Sequence, residues 1–101
     1  MLNTICLVGR IAGDLEIVER EGEEKLTALT IAVPRSYKNT DGIYETDFIP
    51  CSTYGHISEC VAEYCTKGDL VGIKGRIQIR DSKIELVAEK VTFLSSTRRE
   101  D

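Results

Sequence analysis

Apolar and polar residues alternate along most of this chain in short runs separated by turn signals, the pattern of β-strands. Residues 3–11 are rich in Ile, Leu and Val and read as a first strand, with Gly9 and Gly13 as sites for a bend or bulge. A polar stretch over residues 19–24, containing Gly22, reads as a turn. Residues 25–33 alternate, with Leu29, Ile31 and Val33 on one face and Ala28, Thr30 and Ala32 on the other. Pro34 is expected to end that strand, because proline cannot donate to a ladder. Asn39-Thr40-Asp41-Gly42 signals a turn, and residues 46–54 form a third strand.

The period then changes. Gly55 breaks the alternation, and apolar residues at 57, 60, 61, 64 and 65 make a stripe at helical spacing. Ser58-Glu59 is read as the helix start and Lys67-Gly68 as its stop; Tyr64 on the stripe is expected in the core. Residues 70–80 alternate most clearly, Asp81-Ser82 is a tight turn, and 83–94 returns as a fifth strand with Phe93 facing the core. The order β-β-β-α-β-β is that of an all-β domain with one helix, a five-stranded Greek-key OB-fold barrel whose helix plugs one end. The expected domain covers 1–95, followed by a polar tail over 96–101.

Length and composition narrow the class. A chain of 101 residues with 42% hydrophobic and 30% charged residues is one globular domain. No run approaches a membrane span, and the N-terminus lacks the basic and apolar regions of a signal peptide, so a cytoplasmic, nucleoid-associated protein without membrane partners is expected. Cys6, Cys51, Cys60 and Cys65 are then reduced core side chains, since Cys60-x4-Cys65 with one histidine, His56, does not make a zinc site. The same scatter argues against a Cys–His nucleophile, and the expectation is no enzyme, no metal and no cofactor.

The net charge of −4 looks wrong for a partner of nucleic acid, but the acids are unevenly spread. Six of the 17 lie between Asp14 and Glu24, beside Arg20 alone of the 13 bases; elsewhere the signs nearly balance. In the fourth strand the odd positions (Val71, Ile73, Gly75, Ile77, Ile79) make a core face, while Lys74, Arg76, Gln78 and Arg80 make a mostly cationic row spaced about 7 Å apart. That spacing matches a phosphate backbone in a single strand. In the third strand Ile49, Cys51 and Thr53 are assigned inward, leaving Phe48 and Tyr54 outward as stacking platforms roughly 20 Å apart with small residues between. Tyr37, on the loop expected after Pro34, sits between Arg35 and Lys38.

These segments together resemble the bacterial single-stranded DNA-binding protein family over nearly the whole chain. The opening Met1-Leu2-Asn3-Thr4-Ile5-Cys6-Leu7-Val8-Gly9-Arg10 carries the likeness, as do Leu29 to Val33 with Arg35, Tyr37 and Lys38. Thr46-Asp47-Phe48-Ile49-Pro50-Cys51 and the stretch from Glu59 to Ile77 complete it. The resemblance implies sequence-nonspecific binding and protection of single-stranded DNA in replication, recombination or repair. It implies base stacking on Tyr37, Phe48 and Tyr54, and basic contacts from Arg10, Arg35, Lys38, Lys74, Arg76 and Arg80. It also implies a homotetramer, or a dimer, with Asn3 to Val8 at a protomer interface.

Three departures stand out. Asp81 lies where the family often has an aromatic, the hairpin at 80–83 is short, and the acidic, Phe-terminated tip that recruits replication and repair enzymes is not seen, which makes that recruitment doubtful. The short hairpin and missing tip favour the alternative, a tailless OB-fold primosomal accessory that assembles replication proteins on DNA; the opening segment and Lys67 to Ile77 favour the single-strand binder.

Overall fold

The computed structural model describes residues 1–19 and 21–96. Five strands and one helix follow in the order β1 (Ile5–Val18), β2 (Leu26–Lys38), β3 (Tyr44–Tyr54), α1 (Gly55–Tyr64), β4 (Leu70–Arg80) and β5 (Lys83–Ser95). The strands close a barrel in the order β1-β2-β3-β5-β4, all neighbours antiparallel except β3 and β5. This is the expected OB-fold. The expected tail lies, apart from Ser96, outside the described residues.

Closure depends on β1, which runs seven residues beyond its expected end. Its first half pairs with β4 over Ile5–Arg10 and its second with β2 from Arg10 to Val18. The register shifts between Ala12 and Glu16, where Gly13 takes φ +79°. A bulge of this kind bends a strand sharply enough to serve two neighbours. Gly9 and Gly75 are the points of closest backbone approach. A Cβ on Gly9 would lie 2.4 Å from the Ala32 carbonyl oxygen, and one on Gly75 would lie 2.1 Å from that of Val87.

The barrel interior holds Ile11, Leu29, Ile31, Cys51, Val71, Ile73, Leu86 and Ala88, with Val61 and Cys65 entering from the helix end. Thr27, Thr53 and Ser58 are also buried, and their hydroxyls are satisfied locally. Thr53 donates to the Thr27 carbonyl at 2.8 Å, and the Thr27 and Ser58 hydroxyls lie 2.7 Å apart. The first bond ties β3 to β2 and the second fastens α1 to β2, and an unpaired hydroxyl here would cost about 1–3 kcal/mol.

Several expectations need correction. Pro34 does not end β2, which continues to Lys38. Its last partner on β1 is Ala32, so beyond that point β2 pairs only with β3 and has an open edge that needs no proline N–H. Tyr37 is therefore on a strand, not a loop. Ile77 and Ile79 are not core, at 39% and 69% exposed. The β4–β5 hairpin projects past the barrel there, with Ile77 opposite Leu86 and Ile79 opposite Ile84 and no further strand across them. Gly55 begins the helix (φ +62°) instead of preceding it, which puts Glu59 in the second turn, 3.6 Å from Lys25. The face turned to the barrel is centred on Ser58, Val61 and Cys65, with Ile57 at its border, so Tyr64 falls outside it at 68% exposure. Phe93, after a register shift between β4 and β5, is also half exposed, and so is not core. Only Cys51 and Cys65 are buried; Cys6 is exposed and Cys60 partly so, and all four are free thiols.

Asp81 and Ser82 both take positive φ (51° and 65°), as a two-residue type I′ hairpin requires. The turn is as short as the sequence suggests.

Candidate nucleic-acid interface

Strand pairing lays the outward side chains of three strands into rows. Arg10 on β1, Ala32 on β2 and Phe48 on β3 form one row, and Ala12, Thr30 and Pro50 the next. Glu16, Ala28 and Ser52 follow, and this row continues through Val87 to Arg76. Val18, Leu26 and Tyr54 make the last. The inward neighbours Cys51 and Thr53 are 2% and 0% exposed, so the expected facing of β3 holds. The result is a shallow floor of Ala28, Thr30, Ala32, Pro50 and Ser52 with an aromatic at each end.

The two ends differ. Phe48 is 63% exposed, and its ring is open to stacking. Tyr37, also exposed, stands on the β2–β3 ribbon, whose further turn brings Lys38 5.7 Å over the Tyr44 ring. That ribbon is stiffened by Arg35, which donates Nε and Nη2 to the two Asp47 oxygens at 3.1 and 3.0 Å and Nη1 to Glu45 at 2.7 Å. Hydrogen bonding and the charge of Arg35 hold the Asp47 carboxyl below its usual range. Arg35 is thus occupied by carboxylates.

Tyr54 at the other end is half-buried, and its hydroxyl donates to Glu85 at 2.6 Å while accepting from Arg80. Gln78 donates to the second Glu85 oxygen at 2.7 Å, and the Arg80 guanidinium lies 5.8 Å from the Tyr54 ring centre. Burial pushes the Glu85 carboxyl up, but hydrogen bonds from Tyr54, Gln78 and Ser52 and the charge of Arg80 outweigh it and hold the group below its usual range. Burial, and then Glu85, push the Tyr54 phenol up.

Of the remaining cations, Arg10 donates to the Gly68 carbonyl at 3.0 Å beside Phe48's row. Arg76 bonds Gln78 at 2.5 Å and lies 3.7 Å from Glu89, and Lys74 is exposed on β4. The structure therefore gathers Arg10, Arg35, Tyr37, Lys38 and Phe48 toward one end of the floor, and Tyr54, Arg76 and Arg80 toward the other. Lys74 stands apart on β4, opposite Cys6 of β1. Sequence reasoning missed Glu85 and Gln78. Alternation along β5 could have placed Glu85 outward, but its meeting with Tyr54 depends on the β3–β5 pairing, which no local pattern announces.

Residues 2–94 match the single-strand binding protein family. The chain belongs to that family. It is 35% identical to single-stranded DNA-binding protein B of Bacillus subtilis, over 99% of this chain and 96% of that protein. It is 39% identical to single-stranded DNA-binding protein 3 of Listeria innocua, over 95% of this chain and 66% of that protein. The same fold is found in the solved Plasmodium falciparum SSB complex with ssDNA, with a TM-score of 0.79, 22% identity, and coverage of 94% of this chain and 96% of that one. The His56 Nε2 and Cys60 Sγ pair, 3.5 Å apart on α1, borders a separate apolar recess of about 390 Å³ that includes none of the platform residues.

Proposed function

We propose that this protein binds single-stranded DNA without sequence preference and protects it during replication, recombination or repair, by holding the strand and not by catalysis. The observation that carries this reading is the Phe48 ring, 63% exposed at the head of a floor of small residues. Exposed rings on a flat sheet are worth about 1–3 kcal/mol per stacked base and accept every base, since each has a π-face. A duplex keeps its bases paired and offers no such face. Tyr37, Phe48 and Tyr54 stack bases in this reading. Arg10, Lys38 and Arg76 meet phosphates, Lys74 lies off this path on the outer face of β4, and Arg35 and Arg80 act mainly by holding the ribbon and the Tyr54 ring.

The protein acts as a homo-oligomer, a dimer or tetramer. Supporting this, residues Ile5 to Val8 pair only with β4, which leaves their other edge open to a second copy. The adjoining outer face is apolar, with Val8 58% and Leu94 48% exposed around Gly72. A cytoplasmic, nucleoid-associated setting follows from this function; among the described residues no helix is long and apolar enough to cross a membrane. Photo-cross-linking to a halogenated-uracil oligonucleotide tests the binding face. Adducts on Phe48, Tyr54 and Tyr37 are expected; adducts confined to the outer face of β1 and β4 would contradict the assignment.

A further inference from the structure

The Tyr54 end of the floor is closed in a way the Phe48 end is not. Tyr54, Arg80, Glu85 and Gln78 are hydrogen-bonded to one another, so the Tyr54 ring is fixed and Arg80 lies against it. Both Glu85 oxygens are taken, and its side chain is only 15% exposed although it stands on the outer face of the barrel. Beyond this group, the acidic β1–β2 hairpin folds over. Among the described residues, Glu23, Glu24, Asp81 and Glu85 line a recess of about 370 Å³ with Tyr54, and Arg80 is the one basic residue among them. At the other end the ring of Phe48 shares its row with Arg10, and Lys38 projects from the same ribbon.

Resting on the single-strand reading above, we propose that the fixed Tyr54–Arg80–Glu85 group and the Glu23/Glu24 hairpin form a stop that ends the DNA path at Tyr54. Arg80 occupies one side of the ring, so a base stacks only on the side facing the floor. The next phosphate would have to enter a recess already carrying carboxylates, in which repulsion acts within the screening distance of about 10 Å. The strand therefore leaves the sheet at Tyr54 and extends only past Phe48, toward Tyr37 and Lys38. The acidic segment, which opposes nucleic-acid binding as a bulk charge, sets the length and direction of the path instead.

The test is the occluded length per protomer, measured by titrating the full chain with oligo-dT of about four to sixteen nucleotides at low salt, the span known for one OB fold. The Glu23→Gln/Glu24→Gln variant should bind the longest oligomers about 3- to 10-fold more tightly, the scale of one or two screened charge contacts, and occlude more nucleotides. It should bind the shortest as the parent does. Glu59→Gln/Glu63→Gln on α1, which removes the same charge elsewhere, should leave the length dependence unchanged. Glu24→Gln alone gives the same direction with a smaller gain, should the double variant disturb the hairpin. If the parent binds oligo-dT but the variant shows the same occluded length, or gains equally on short and long oligomers, the stop is refuted and the binding function stands. If the parent binds no oligo-dT, the proposed function itself fails, and the stop with it.

Discussion

Replacing Phe48 by Ala separates a stacking ring from a packing one, because the two roles predict opposite pairs of results. The ring is 63% exposed, so little more than a third of it is covered. Truncating a fully buried Phe costs about 3–5 kcal/mol, and the covered part here scales to roughly 1–2 kcal/mol. For a domain of this size that lowers Tm by about 4–8 °C per kcal/mol and leaves it folded at room temperature. Loss of one stacked base costs about 1–3 kcal/mol of binding, which is about 5- to 150-fold in Kd. Fluorescence anisotropy with labelled oligo-dT, run beside a thermal melt, reads both. Phe48→Leu keeps apolar area without a π-face and should bind nearly as poorly as the Ala variant, whereas Phe48→Tyr should bind like the parent. No cation is removed, so the slope of log K against log salt should not change. An unchanged Kd in the folded Ala variant, or a loss of binding that only tracks unfolding, would refute the stacking role.

Other expectations follow from the same geometry. Gly75→Ala puts a Cβ 2.1 Å from the Val87 carbonyl oxygen, so β4 and β5 must separate; a melt should show a larger loss for it than for Gly42→Ala, where a Cβ meets open space and only the positive φ is strained. Burial raises the Cys51 thiol from 9.0 to about 11. Its neutral form is favoured in the folded state, so the associated stability is whole below 9.0 and is lost as pH rises towards 11, by about 3 kcal/mol at most. Denaturation across that range should show a loss that Cys51→Ala lacks, and native-state alkylation should modify partly exposed Cys60 well before Cys51. The Asp47 carboxyl is held low by Arg35, so the ribbon carrying Tyr37 is braced above the ordinary 3.8 and loosens as pH falls below it; protection of residues 35–47 against hydrogen exchange, taken relative to the intrinsic rate at each pH, should fall there and change less in Asp47→Asn, which lacks the titrating group. Val8→Glu should shift the mass in solution towards a single chain if β1 joins protomers, and an unchanged mass would remove β1 from the interface.

The element order and the facing of β2 and β3 were legible because alternation is a local signal, and Leu29, Ile31 and Cys51 behave as it demands. Errors arose where a local rule met a non-local circumstance. Pro34 ends a strand only if both edges are paired, and here one is open. Ile77 and Ile79 alternate like core residues, yet the hairpin carries them beyond the barrel they would face. Tyr64 is outward because the helix buries the Ser58–Val61 side of its stripe, and Phe93 because a register shift precedes it. In the candidate site, residue types were readable, but partners were not. Phe48 and Tyr54 looked equivalent, and only the parallel contact of β3 with β5 brings Glu85 to one of them.

The most direct test of single-strand binding is a titration of labelled oligo-dT against a duplex of equal length, over a series of salt concentrations. Tight binding to oligo-dT that weakens linearly in log salt, with far weaker binding to the duplex, is the predicted result. Equal affinity for the two forms would contradict the claim that unpaired bases are held on the β2–β3 floor.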